Sequence, residues 1–246
     1  MIITTTIIHQ KERVNELLTC IKKNLAIDII NKYVIFYEKT PEDITFLELL
    51  KKFDNLDIVY IDFRPSIKYM IEYLNKHYKN QTCILTNSDI LFDNTLNLLQ
   101  DVDFNKCSIA LTRYNVLSHT NKFNFNYAGH TINYNYHDAT FKLKTMHTRG
   151  QSIDAWIFNL PLKHDNIDID FPLGTYNGDG YLNYQLSINT KLFNPVYDII
   201  SIHLHKKWNP NSYNNINHSS RTFWKKKYIQ HELPIPFCHI KQLPKK

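Results

Sequence analysis

Before residue 90 the chain alternates four times between a short β-branched or aromatic run and a following polar or amphipathic stretch. Ile2 to Ile8 is bounded by polar residues and predicts a buried first strand. Val14, Leu17, Leu18, Ile21 and Leu25 then fall at helical spacing, with Lys and Glu between them. Tyr33 to Tyr37 reads as a second buried strand. Phe46, Leu47, Leu49, Leu50 and Phe53 make a short helix. Ile58 to Ile61 is a third strand, and Ile67 to Tyr78 is a helix with Met70, Ile71 and Leu74 as its apolar stripe. Thr82 to Thr86 is a fourth strand, which stops at Asn87-Ser88-Asp89. That order of elements is the pattern of an open, mostly parallel α/β sheet flanked by helices.

The remainder is less regular. Ile90 to Asp93 leads into a helix expected from about Asn94 to Leu99, and Ser108 to Thr112 is a fifth strand. Phe123, Phe125 and Tyr127 alternate with Asn, as do Ile132, Tyr134 and Tyr136 after Ala128-Gly129-His130. Alternation on both sides of a turn predicts a β-hairpin. Ala155 to Phe158 is a short buried strand. Asp179 is placed to cap a helix carrying Tyr181, Leu182, Tyr184, Leu186 and Ile188. Ile199 to His205 is a late strand, and from Lys206 onward the chain reads as a tail packed on the surface. The 246 residues fit one domain. Its expected parts are a nucleotide-binding half over 1–113, an acceptor half over 114–208 and a tail over 209–246.

Composition removes several alternatives. At 43% hydrophobic, wholesale disorder is excluded. No apolar run reaches the roughly 20 residues of a membrane span. The first residues lack the basic segment and cleavage site of a signal peptide, so a cytosolic location is expected. Five glycines leave little room for a glycine-rich phosphate loop. Cys20, Cys83, Cys107 and Cys238 are scattered, with neither zinc-ligand spacing nor a disulfide framework. A net charge of +6 suits an anionic partner without marking a nucleic-acid binder.

In open α/β sheets ligands bind beyond the carboxyl ends of the strands, so the residues just past each strand are the candidates. Asp89 follows an apolar strand and can hold Mg²⁺ or Mn²⁺, which take oxygen ligands, or can cap the next helix. His203 and His205 face the same way on a strand and can bind a cation or phosphate, or simply pack. Asp154 and Asp179 lie at element ends, each a candidate general base or a turn former. Arg64 precedes a helix start and suits an anion, or is a solvated loop residue. The aromatic hairpin from Phe123 to Tyr136 can stack on sugar or base faces, or be core.

Taken in order, the segments Thr86-Asn87-Ser88-Asp89-Ile90, Leu111-Thr112-Arg113, Gln151-Ser152-Ile153-Asp154-Ala155-Trp156, Phe171-Pro172-Leu173-Gly174, Gly178-Asp179-Gly180 and His203-Leu204-His205 have a familiar look. The chain resembles GT-A-fold glycosyltransferases over about residues 2 to 208. The similarity is to the small nucleotide-sugar transferases of bacterial polysaccharide clusters and large DNA viruses. The resemblance implies a Rossmann-like nucleotide-diphospho-sugar fold and a divalent metal, Mn²⁺ or Mg²⁺, held by a D-x-D-type motif. Here that motif reads Asn87-Ser88-Asp89, so metal binding rests on Asp89, completed by His203 or His205. The resemblance further implies Asp179 as the base, with Asp154 its alternative. Thr5, Arg64, Asn87, Ser88, Asp89, Arg113 and Lys206 would lie near the nucleotide sugar, and Trp156, Tyr134 and Tyr136 near the acceptor.

The expected activity is sugar transfer from a UDP- or GDP-sugar to a hydroxyl of a glycan or glycoprotein, in the host cytoplasm if the chain is viral. The homodimer is left open and no nucleic-acid partner is expected. Two other readings are weighed beside it. A sugar nucleotidylyltransferase normally has a glycine-rich loop after the first strand, where this chain has His9-Gln10-Lys11-Glu12-Arg13. A non-catalytic nucleotide-sugar or nucleic-acid binding protein is motivated by Asn87 in place of the first Asp and by the Lys225-Lys226-Lys227 run.

Overall fold

The computed structural model describes residues 1–8, 11–39, 44–116, 131–136, 139–145, 152–175, 177–204 and 233–246. The early strands form as expected: β1 (Ile2–Ile8), β2 (Lys32–Glu38), β3 (Leu56–Ile61) and β4 (Thr82–Thr86). Helices α1 (Val14–Leu25), α2 (Ile44–Leu50) and α3 (Ile67–His77) connect them. Ser66 starts α3, its Oγ accepting from the Tyr69 backbone N–H at 3.3 Å, which satisfies one orphan donor of the first turn. Then follow β5 (Ile90–Phe92), β6 (Cys107–Thr112), β7 (Tyr114–Val116), β8 (Thr131–Tyr136), β9 (Ala139–Thr145) and β10 (Ile153–Asn159). Helix α4 (Gly178–Ser187), β11 (Lys191–Phe193) and β12 (Ser201–His203) complete the order.

The central sheet is seven-stranded, in the order β11-β6-β10-β4-β1-β2-β3. Every neighbouring pair is parallel except those of β10, which runs antiparallel to both β4 and β6. Strands from both sides of residue 113 build it. A second, five-stranded sheet has the order β5-β12-β7-β9-β8.

Side chains alternate between two apolar layers along each central strand. Ile2, Val34, Phe36, Leu85 and Trp156 face α3 and α4, against Ile67, Met70, Leu74 and Leu182. Ile3, Ile35, Ile84 and Ile157 face the other way, against Leu17 and Ile21 of α1, Phe46 of α2 and the second sheet. Burial on both faces is why the central strands read as nearly continuous apolar runs. Truncating Met70 or Leu74 to Ala would cost about 2–5 kcal/mol.

Three expectations are revised, and a fourth, the hairpin, is described only in its second arm. The segment Asn94–Asp101 is a 3-10 helix, begun by Asp93, whose Oδ1 accepts from Thr95 N at 3.0 Å. The late strand is short, ending at His203. β8 pairs antiparallel with β9, whereas the first arm expected at 123–127 lies outside the described residues. Within the tail, Ile235 and Leu243 are buried, and Cys238 N donates to Asn194 O at 2.9 Å, so that segment joins the core rather than lying on it. Among the described residues no helix is long and apolar enough to cross a membrane.

Candidate functional site

The parallel strands deliver their carboxyl ends to one rim, and the turn Asn87-Ser88-Asp89 follows β4 there. Two elements fix its far side. Asn24, buried on α1, donates Nδ2 to Ile90 O at 2.9 Å and accepts from Phe92 N at 2.8 Å, so one amide clamps β5. β12 pairs with β5, with His203 opposite Ile90, and Leu204 N donates to Asp89 O at 3.0 Å.

That pairing brings His203 Nε2 to 3.1 Å from Asp89 Oδ2, while Nδ1 lies 3.3 Å from Asn115 Oδ1. Arg13 Nη2 donates to the same Asp89 oxygen at 2.7 Å. Arg13 is itself held by Glu16, whose Oε1 accepts from Nε at 3.0 Å and from Nη2 at 2.5 Å. Burial alone would push the Asp89 carboxyl up. The hydrogen bond and charge of His203, and then the charges of Arg13 and Arg113, outweigh it and hold the group well below the usual carboxylate range. Asp89 is thus ionised and only 8% exposed.

Asp154 enters from β10. The β10–β6 register shifts between Ile153 and Ala155, and such a bulge re-aims a side chain toward the rim. Asp154 Oδ1 accepts from Asn87 Nδ2 at 2.7 Å, Oδ2 accepts from Arg113 Nη1, and the main-chain carbonyl accepts from Asn87 N at 3.1 Å. Arg113 is thus paired with Asp154, and its charge also acts on Asp89.

Beside this network is a cleft of about 250 Å³. Asn87, Arg113 and Asp154 form one wall, and Leu173, Gly174 and Asp179 line the rest. Gly174 has φ +76°, which an L residue adopts only with strain. An added Cβ would lie 3.8 Å from Asn87 Oδ1, an ordinary contact, so the backbone angle rather than crowding calls for glycine here. Asp179 sits half-buried in the first turn of α4. It does not cap that helix, contrary to the expectation: Asn177, at φ 58°, takes the N-cap position. Another hollow, of about 370 Å³, lies at the amino end of β4 and is lined by Met1, Lys32, Tyr78 and Thr82. It faces away from the rim where α/β sheets bind ligands.

The other expected residues fall as follows. Arg64 Nη2 donates to Leu173 O at 3.1 Å, bracing the cleft wall, and its Nε is 3.6 Å from Glu38 Oε1 at the end of β2. Burial pushes the Glu38 carboxyl up, with Arg64 opposing. Ser88 is half-buried between Asn87 and Asp89. Thr5 is fully buried in mid-strand and is not brought to the cleft. Trp156 lines the cleft floor, 3% exposed, its Nε1 donating to Asn183 Oδ1 at 2.8 Å. The backbone of Tyr134 and Tyr136 belongs to β8, but their side chains lie outside the described residues, as do His205 and Lys206. Among the described residues no group of three or more His, Cys, Asp or Glu gathers to hold a metal. Sequence reasoning missed the roles of Arg13, Glu16, Asn24 and Glu38. The one available signal was Arg13 and Glu16 spaced i, i+3 at a helix start.

The mostly parallel sheet flanked by helices, with its lone antiparallel β10, is a GT-A-like fold. The solved structures that share it include S. aureus TarS 1-349 in complex with UDP-GlcNAc. That structure is 12% identical, with a TM-score of 0.53, and the match covers 86% of this chain and 61% of that one. S. aureus TarS 1-349 in complex with UDP matches at 10% identity and TM-score 0.51, covering 82% and 59%. TarS 1-349 alone matches at 11% and 0.50, covering 82% and 59%. The likeness is one of fold, and the chain spans about three fifths of the length of these structures. No protein-family model and no curated protein sequence matches the chain.

Proposed function

We propose that this protein transfers a sugar from a nucleoside-diphosphate sugar, a UDP- or GDP-sugar, to a hydroxyl of a glycan acceptor. The observation that carries the reading is the adjacency of two arrays at one rim. A carboxylate held by two guanidiniums and an imidazole, Asp89 with Arg13, Arg113 and His203, stands beside a cleft walled by Asp154 and Asp179.

The chemistry asks for that adjacency. Cleaving the sugar–phosphate bond leaves negative charge on the departing diphosphate, which preorganised positive groups stabilise. Arg113 and His203 are held in place for this by Asp154, Asp89 and Asn115. The anomeric carbon, becoming electron-poor, is met by an acceptor oxygen whose proton a carboxylate takes up. Asp179 is the base in this reading. Asp154, tied to Asn87 and Arg113, orients the donor. Trp156 floors the acceptor side, and Tyr134 and Tyr136 on β8 are candidates to stack on the acceptor.

The fold family implies a divalent ion at the diphosphate. Asp89 is a buried, ionised carboxylate, and Arg13 and His203 already converge on one of its oxygens, so the position suits positive charge. Asp89 and His203 would hold the ion, and His205 would add to them. When bound, the ion supplies further charge neutralisation at the leaving group.

A panel of UDP- and GDP-sugars with Mn²⁺, read both for binding and for released nucleoside diphosphate, tests the reading. Binding and turnover are expected, with turnover lost in Asp179→Asn. No binding at millimolar donor would overturn it, and binding without turnover would make the chain a nucleotide-sugar binding protein.

A further inference from the structure

We propose that two copies of this chain pair through the outer edge of β3, antiparallel about a two-fold axis at Val59, joining their central sheets into one. The inference stands apart from the transfer reading: it commits the open homodimer to one surface and one register.

The central sheet ends in two edges that are built differently. β11 is three residues long, begins at Lys191, and leads into the bridge between Asn194 and Phe237. β3 is six residues long and pairs with β2 residue for residue, without a bulge. Edge strands that stay single are commonly short, bulged or charged. The one charged residue within β3, Asp57, is taken by Lys32 Nζ at 2.9 Å and by the Tyr78 hydroxyl. Among the described residues no strand lies on the outer side of β3. Tyr60 there is 43% exposed, and Phe63, just past the strand, is 47% exposed.

The main chain of this edge fits a second strand. Tyr33 N donates to Asn55 O at 2.8 Å and Lys39 N to Ile61 O at 3.0 Å. In a parallel ladder of that register, Asp57, Val59 and Ile61 turn their N–H and C=O groups toward β2, and Ile58 and Tyr60 turn theirs outward. A second β3, running antiparallel, gives those outward groups partners. Pairing an edge with itself is isologous, so it closes at two copies and leaves neither β3 open.

Side chains and charge choose the register. The outward groups meet only when even-numbered residues face even-numbered ones, so the available registers differ by steps of two. Centred on Val59, Ile58 faces Tyr60 of the copy on both sides of the axis, and aromatic against β-branched pairs favour strand pairing. Asp54 and Arg64, both exposed just outside the strand ends, then meet as opposite charges at each end. Arg64 has room for this: its side chain is 44% exposed while Nη2 stays on Leu173 O. Centred on Ile58, Asp54 instead meets Asp62 of the copy. Centred on Tyr60, the two Lys39 ammoniums, each 5.1 Å over its own Tyr60 ring, are brought together. Both alternatives set like charges against each other, which opposes association.

Sedimentation velocity of the full chain over a concentration series tests this. The wild type is expected to dimerise, with dissociation in the micromolar range. Asp54→Arg sets two positive charges against each other at both ends, and Arg64→Asp sets two negative ones. Each variant alone is expected to weaken the dimer by about tenfold or more. Mixed in equal amounts, the two variants bring opposite charges back together at both ends, and a heterodimer of near wild-type affinity is expected. Tyr60→Lys, which puts a charge on the edge itself, is expected to be monomeric. Far-ultraviolet circular dichroism confirms that each variant is folded. A wild type that stays monomeric overturns the proposal, and so does a dimer that survives Tyr60→Lys, because its interface lies elsewhere. Charge variants that stay apart when mixed overturn the register.

Discussion

Asn87 gives its side-chain amide to Asp154 at 2.7 Å, joining the turn after β4 to the bulge of β10 across 67 positions of sequence. The amide is what the position requires. An aspartate at 87 would set a second carboxylate against Oδ1 of Asp154, whose other oxygen is already taken by Arg113.

Asn87→Asp is therefore expected to lower stability by about 1–3 kcal/mol, through a lost hydrogen bond and like-charge contact in a half-buried place. The reciprocal double variant Asn87→Asp with Asp154→Asn restores one donor and one acceptor, and should recover most of the loss. Urea unfolding of the single and double variants measures both. A single variant as stable as wild type would show that the contact contributes nothing.

Asp89 gives the protein an acid-sensitive contribution. Burial works against its charge, but His203, Arg13 and Arg113 depress its folded value well below the ordinary 3.8. A depressed carboxylate stabilises the fold at pH values above its unfolded value, and the contribution fades as pH falls below about 4 toward the folded value. Wild type should therefore exceed Asp89→Asn in stability at pH 7, and the gap should narrow at pH 3. Denaturant unfolding at the two pH values measures it; a gap that is constant or widens in acid contradicts the assignment.

The two cleft carboxylates should separate by their readouts. Asp179→Asn removes the proposed base, and turnover should fall by roughly 10²–10⁴-fold, far more than nucleotide binding changes. Asp154→Asn disturbs its pairing with Asn87 and Arg113, so it should weaken donor binding and stability together. A loss of turnover alone in Asp154→Asn, with Asp179→Asn active, would exchange the two roles.

The fold was legible because central strands buried on both faces leave continuous apolar runs, and the helices between them carry one apolar stripe each. Asp89, Arg113, Asp154 and His203 were legible for a related reason: each stands at or near the end of such a run. What joins them was not. Arg13 meets Asp89 across 76 positions, and no local pattern signals a contact of that length. The bulge that turns Asp154 to the rim depends on β6 lying beside β10, a pairing periodicity does not give. Of the two roles open to Asp179, capping does not hold, because a left-handed Asn177 starts α4 earlier. A helix is expected from about Asn94 to Leu99, and the structure makes Asn94–Asp101 a 3-10 helix; so short a segment carries too few apolar positions to tell one helix type from the other.

Asn24 shows how far from the chemistry such a contact can matter. Its amide satisfies Ile90 O and Phe92 N at once, from a fully buried position on α1. Asn24→Ala leaves those main-chain groups unpaired where water has little access, at an expected cost of about 1–3 kcal/mol. The same loss frees the strand that follows Asp89 and pairs with His203, so the loosened rim should also raise the donor KM while kcat changes less. Thr19→Ala on the exposed side of α1 is the control, expected within about 0.5 kcal/mol of wild type. Equal stabilities for the two variants would mean that α1 does not clamp β5, and an unchanged KM alongside the stability loss would detach the clamp from the site.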